Sequence, residues 1–166
     1  MILRKFTIIP MKAQLNKIIL RPWTLEDIDF SLSVRNHPDL MKWFRQNNKI
    51  TYDQQKEFIK RDLGLCGTYN GMIIEVGKYR VGICGVKDTR EFSIGILPEY
   101  QHKGIASEVM NQLYMKCGRM WSEVFVGNPA LEFFISKCGF KIKSVKERAY
   151  HKHGQGLIDI VEISNE

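Results

Sequence analysis

Residues 91–106, Glu-Phe-Ser-Ile-Gly-Ile-Leu-Pro-Glu-Tyr-Gln-His-Lys-Gly-Ile-Ala, read as a strand that breaks at Pro98 and restarts as a helix through a glycine-bearing turn. Phe92, Ile94 and Ile96 have strand composition, while Ile105, Val109, Met110, Leu113 and Tyr114 recur at helical spacing. The turn therefore sits at a helix N-terminus. There the first backbone N–H groups lack intrahelical partners and carry a partial positive charge, which suits an anionic diphosphate. Gly104 and the small Ala106 let such a ligand come close to the backbone.

The elements that must position this turn follow from periodicity. Lys17–Arg21 reads as a first strand, and Thr24, with Asp27 three residues on, caps a helix whose buried side carries Leu25, Ile28, Leu32 and Val34. Pro38 ends that segment. Asp39–Ile50 mixes aromatic and polar residues without a period and reads as a loop or short helix with a functional face. A second helix starts near Thr51, with Tyr52, Phe58, Ile59 and Leu63 as its apolar positions, and stops at Gly64 and Gly67. Met72–Val76, Arg80–Val86 and Phe92–Leu97 form a meander, the first two joined at Gly77-Lys78. The helix after the glycine turn runs to about Cys117, Glu123–Val126 is a strand, Ala130–Lys137 a short helix, and two final strands span Ile142–Tyr150 and Leu157–Ile163. The expected fold class is α+β, a central mixed and mostly antiparallel sheet with helices on both faces.

A length of 166 residues with 44% hydrophobic composition suits a single domain over 1–166, with 1–16 as an N-terminal extension. The apolar runs are too short for a transmembrane span, and Met1–Pro10 lacks a signal peptide's long apolar centre, so a cytoplasmic protein without a membrane partner is expected. Cys66, Cys84, Cys117 and Cys138 are widely spaced and read as reduced thiols. The formal net charge of +7 is scattered from Arg4 to Arg148 with no nucleic-acid motif, which reads as solvated surface rather than a nucleic-acid interface.

Gln101-His102-Lys103-Gly104-Ile105-Ala106 resembles the Gln/Arg-x-x-Gly-x-Gly/Ala signature of the GNAT superfamily of N-acetyltransferases. A second block, Val124–Phe140, is similar to that family's strand, Asn-led helix and closing Gly-Phe, and the resemblance extends more weakly from Ile18 to Ile163. It implies acetyl-CoA as cosubstrate. It further implies that backbone groups of Ile96 and Leu97 meet the pantetheine and acetyl carbonyl, that Gln101, His102, Lys103, Gly104, Ile105 and Ala106 hold the pyrophosphate, and that Asn128 bonds the cofactor arm. Asn128 also reads as a helix cap, and Lys103 could equally be solubilising surface. The resemblance also implies that the strands on either side of the glycine turn and its helix splay apart to admit the pantetheine. Many members use a tyrosine four residues before the closing glycine as general acid; here that position is Ile135. This departure and the Asn-Pro-Ala helix start are more like the branch of ribosomal-protein N-terminal acetyltransferases.

Acetyl transfer from a thioester needs a bound donor, a neutral amine in reach, and stabilisation of the developing oxyanion. Glu91, Glu99 and Glu123 are candidates to carry the amine's proton, with Glu91 and Glu123 retained as catalytic; each could instead be a solvated carboxylate. His102 reads as surface. His151 and His153 share a strand face, but no carboxylate or cysteine lies near them in sequence, so no metal is assigned. Val34–Phe44, followed by Thr51 and its helix, is similar to bacterial amino-sugar N-acetyltransferases. In that light Trp43 and Phe44 could form a sugar platform, and Arg35 or Arg45 could meet a nucleotide diphosphate. The expectation is direct N-acetyl transfer to a primary amine, with a nucleotide-linked amino sugar ahead of a protein N-terminus or a small molecule. The alternatives are a catalytically weak acetyl-CoA-binding module and a basic nucleic-acid-binding domain. A homodimer stays open.

Overall fold

The computed structural model describes residues 18–64 and 69–166, so Cys66, Gly67 and the N-terminal extension lie outside the described residues. Among the described residues, seven strands fall into two antiparallel sheets. β1 (Ile18–Pro22), β2 (Tyr69–Val76), β3 (Tyr79–Lys87) and β4 (Phe92–Ile96) lie side by side in that order. β5 (Trp121–Phe125), β7 (Gly156–Ser164) and β6 (Lys141–Lys152) form the second sheet, with β7 in the middle. The two sheets meet at a single parallel bridge, Glu91 to Trp121.

Helices cover both faces, as expected. α1 (Ile28–Arg35), the short α2 (Pro38–Met41) and α3 (Tyr52–Gly64) lie on one side, where Trp23, Ile28, Val34, Leu40 and Ile59 pack against Ile73 and Ile83. α4 (Ile105–Cys117) and α5 (Ala130–Cys138) lie on the other, where Ile105, Val109, Leu113 and Phe134 pack against Met72, Ile74, Phe92 and Ile96. β2 thus sends Ile73 to one core and its neighbours Met72 and Ile74 to the other. Burial on both faces explains why it is a continuous apolar run without polar alternation. Cys84, Cys117 and Cys138 are unbridged.

Local chemistry sets the boundaries. Thr51 Oγ1 accepts from the Gln54 N–H and Gln54 Oε1 accepts from the Thr51 N–H, a reciprocal cap that starts α3. Gly77, at φ 60°, supplies the left-handed residue that the two-residue β2–β3 turn requires. Some expected apolar positions are exposed. Leu25 is 44% accessible because residues Leu25–Asp27 form a 3-10 turn ahead of α1, which rotates Leu25 out of the helical stripe. Tyr52 and Leu63, at the ends of α3, are also exposed, since the helix reaches its core through its centre, at Gln55 and Ile59.

Asp27 locks the entry to α1. Its carboxylate accepts from the Thr24 N–H at 2.9 Å and from Arg21 Nη1 and Nη2, each at 2.8 Å, while Arg80 lies 3.3 Å away. Burial raises the Asp27 pKa, but the Arg21 and Thr24 hydrogen bonds outweigh it and leave it at about 2 against an ordinary 3.8. A depressed carboxylate pKa stabilises the fold above the unfolded value and loses that effect as pH falls through the folded one. Asp27→Asn should therefore lower unfolding free energy by about 2 kcal/mol near pH 7. In urea titrations the gap between wild type and variant should close as pH falls from about 4 toward about 2.

Candidate active site

β4 and β5 are pinned at one end only. The Trp121 N–H donates to the Arg90 carbonyl at 3.1 Å, and Ser122 Oγ donates to the Phe92 carbonyl at 3.0 Å. Beyond these contacts β5 pairs with β7 alone, so the strands part toward Ile96 and Phe125. The Leu97 N–H turns the other way, to Val81 of β3 at 3.0 Å. Because backbone groups alternate along a strand, the odd residues of β4 serve β3 while Ile94 and Ile96 present theirs to the opening. The Ile96 carbonyl is taken by Gln101 Nε2 at 2.8 Å, which ties the following loop to the strand. Both backbone groups of Leu97 are used within the protein, since its carbonyl also accepts from the Tyr100 N–H at 2.9 Å.

The loop enters α4 through left-handed residues, His102 at φ 56° and Gly104 at φ 78°. No side chain caps α4, so its first N–H groups face the loop without a protein acceptor from the cap position. A left-handed turn into a 13-residue helix with an uncapped start fits a diphosphate, and the neighbouring opening fits a slender arm laid along β4. His102 is exposed, Ile105 is buried, and Lys103 rests over the Tyr100 ring, its Nζ 5.7 Å from the centroid. Ala106 packs against the core. Between α4 and α5 runs an open groove of about 670 Å³, which reaches the loop only at Gly104.

The opposite face of β4 and β5 carries two carboxylates beneath Arg45. Glu91 and Glu123 meet here, both reached by Arg45, which hydrogen-bonds Glu123 and lies 3.8 Å from Glu91. Lys87 pairs with Glu91, and Lys146 donates to Glu123 at 2.6 Å. Burial raises the Glu123 pKa, but the Lys146 hydrogen bond and the charges of Arg45, Lys146 and Lys87 outweigh it, so Glu123 sits below the usual carboxylate value. Glu99, the third carboxylate candidate, is exposed beside the loop.

The segment over residues 41–46 is held by a buried lysine. Lys152 Nζ donates to the carbonyls of Met41, Phe44 and Gln46, and Tyr150 Oη donates to the Arg45 carbonyl. Burial, and then the charge of Arg35, push the Lys152 pKa down. The Phe44 ring is so close to Gly95 that a Cβ there would meet its Cζ at 2.7 Å. Glycine at 95 therefore lets the tip of the aromatic ring approach the middle of β4.

A family model of the acetyltransferase (GNAT) domain matches residues 17–141. The chain belongs to the GNAT acetyltransferase family. Acetyl-CoA is the cosubstrate of this acetyltransferase family, and the α+β architecture is shared with solved structures. Spermidine N-acetyltransferase from Vibrio cholerae, in complex with CoA and spermine, superposes with a TM-score of 0.79 at 20% identity, over 90% of this chain and 95% of that one. The Salmonella typhimurium protein YncA, with its cofactor acetyl-CoA, gives 0.73 at 18% identity, over 89% and 92%. Among curated proteins no sequence matches.

In this acetyltransferase, Asn128 caps α5 by accepting from the Ala130 N–H at 3.0 Å. Ile135 is 38% exposed on the same helix. Sequence reasoning passed over Ser122, Lys152 and the half-buried Tyr69, whose hydroxyl lies 2.8 Å from Ser93 Oγ and whose pKa desolvation raises to about 12. The first two act through partners 30 to 111 residues away, which leave no local pattern. Lys152→Met should strip the donor from those carbonyls, lowering stability by about 1–3 kcal/mol. Hydrogen exchange should accelerate at residues 42–47; unchanged protection would show that the segment holds itself.

Proposed function

We propose that this acetyltransferase moves an acetyl group from acetyl-CoA directly to a primary amine while both are bound. The observation that carries this is the one-ended divergence of β4 from β5, which joins the uncapped start of α4 to the carboxylate-lined face beneath Arg45. Bound acetyl-CoA supplies the activated acetyl group. Around it the protein offers the loop Gln101–Ala106 for the diphosphate and the gap-facing backbone of Ile96 for the arm and the acetyl carbonyl. Leu97 shapes the turn that leads into the loop, and Asn128 borders the opening from the start of α5.

The amine arrives from the other face. Glu123 stays ionised throughout the neutral range because its pKa is lowered. It therefore attracts and orients an ammonium more effectively than it removes a proton, and Glu91 adds a second negative charge in the same patch. The proton leaves through water, and the departing thiolate needs little help at the position where Ile135 replaces the family tyrosine. Support for an amino sugar as acceptor comes from Phe44, an aromatic ring whose tip meets Gly95 in the middle of β4, with the Arg35 guanidinium 5.1 Å from its centroid. A nucleotide-linked amino sugar is thus favoured over a protein N-terminus or a polyamine-like small amine. Ile135 keeps a second reading in view, a module that binds acetyl-CoA but transfers it slowly.

Initial rates of CoA release with a nucleotide-linked amino sugar, a short peptide and spermidine test this. Intersecting double-reciprocal lines are expected for the preferred amine. Glu123→Gln should cut kcat/KM by roughly tenfold to a hundredfold, while the pH at which the rate rises stays where the amine's own deprotonation puts it. Acetyl-CoA binding without turnover of any amine would favour the binding module.

A further inference from the structure

A second cavity of about 390 Å³ lies on the α1–α3 side of the sheet. Its charged lining is Arg35 from the end of α1, Lys49 from the connecting segment and Arg61 from α3, and no Asp or Glu lines it. Gln54, Phe58 and Arg61 come from one face of α3, at i, i+4 and i+7, and Gln46 adds a carboxamide. The wall is therefore cationic and amide-rich, with one aromatic ring.

Three cations around a concave surface repel one another unless a counter-charge joins them. Among the described residues, none of the three lies within 4.0 Å of a carboxylate. Residues 1–17 and 65–68 contain no Asp or Glu, so they bring no side-chain carboxylate either. Arg35 is the most telling of the three. Its Nε donates to Gln46 Oε1 at 2.9 Å and its guanidinium carbon lies 5.1 Å from the Phe44 ring centroid, yet burial pushes its pKa down with no carboxylate beside it to offset that. A guanidinium has five donors, and a planar fork of this kind matches an oxyanion.

We propose that this cavity binds a phosphate group carried by a small ligand. Arg35, Lys49 and Arg61 neutralise the phosphate, the Gln54 carboxamide donates to its oxygens, and Phe58 backs Arg61, whose guanidinium carbon lies 5.6 Å from the ring centroid. The volume suits a compact phosphorylated molecule. Arg35 couples the cavity to the amine side through Phe44 and Gln46, the neighbours of Arg45. The phosphate therefore belongs either to the acceptor itself or to a separate effector. As an acceptor subsite the cavity rests on the transfer function proposed above; as an anion site it stands without it.

The test is calorimetric titration of the CoA-saturated protein, in which the α4 loop is already occupied, with inorganic phosphate and with O-phosphoethanolamine, a primary amine that bears a phosphate. Saturable phosphate binding is expected, weakened by added KCl and weakened about tenfold or more by Lys49→Gln/Arg61→Gln. Both substituted side chains are exposed, so the variant's melting temperature without ligand should match wild type. Tighter binding of O-phosphoethanolamine than of phosphate would make the cavity part of the acceptor site, and equal binding would make it an effector site. No phosphate binding, or equal affinity in wild type and double variant, would overturn the proposal. The CoA affinity measured at the outset is a separate readout, and its loss would count against the transfer function alone.

Discussion

The short pin between β4 and β5 governs this molecule. Two antiparallel sheets share one parallel bridge at Glu91 and Trp121, reinforced by Ser122 on the Phe92 carbonyl, and from there the strands diverge. Had the ladder continued, the backbone groups of Ile94 and the Ile96 N–H would have gone to β5, and the two sheets would be one continuous sheet with no open strand edge for a ligand. Divergence leaves a strand edge inside the domain. Such an edge carries unfulfilled hydrogen bonding, which an extended polar chain such as a pantetheine arm can satisfy. The same divergence sets the order of the site, with the α4 loop at the open end and the two glutamates nearer the pin.

Electrostatics on the amine side are crowded and balanced. Glu91 and Glu123 would repel each other in a bare cleft, and Arg45, Lys87 and Lys146 bridge them. Under the proposed function, an incoming ammonium would compete with Arg45 for the same oxygens. Arg45 sits on a segment suspended from the buried Lys152, so the position of the competitor is set by a residue on β6 rather than by the segment's own sequence.

Much of the fold was legible because its signals are local. The Thr24–Asp27 cap, the Gly77 turn and the helical spacing after Gly104 each sit within a few residues, and the turn, the helix after Gly104 and the helix near Thr51 form where expected. The anion-accepting turn was legible for the same reason, since strand, glycine and helix are contiguous. The acceptor side was not. Glu91 and Glu123 stood out only as two of several glutamates, and nothing near residue 45 signals that its arginine would bridge them. Asp39–Ile50 showed no period because its shape is imposed from outside, by Lys152, Tyr150 and by Asn36, whose side chain clasps Ile50. Leu25 misled because a 3-10 turn shifts the helical phase.

The central claim is that the opening beside α4 is shaped for acetyl-CoA, and the thermal unfolding midpoint with and without the cosubstrate tests it most directly. A ligand that binds only the folded state stabilises it by about 2.7 kcal/mol at a hundredfold excess over its dissociation constant, so the midpoint should rise clearly. Gly104→Val, which places a branched side chain at a left-handed position in the loop, should erase most of that rise. An unchanged midpoint at millimolar acetyl-CoA, or an equal rise in wild type and variant, would contradict the account.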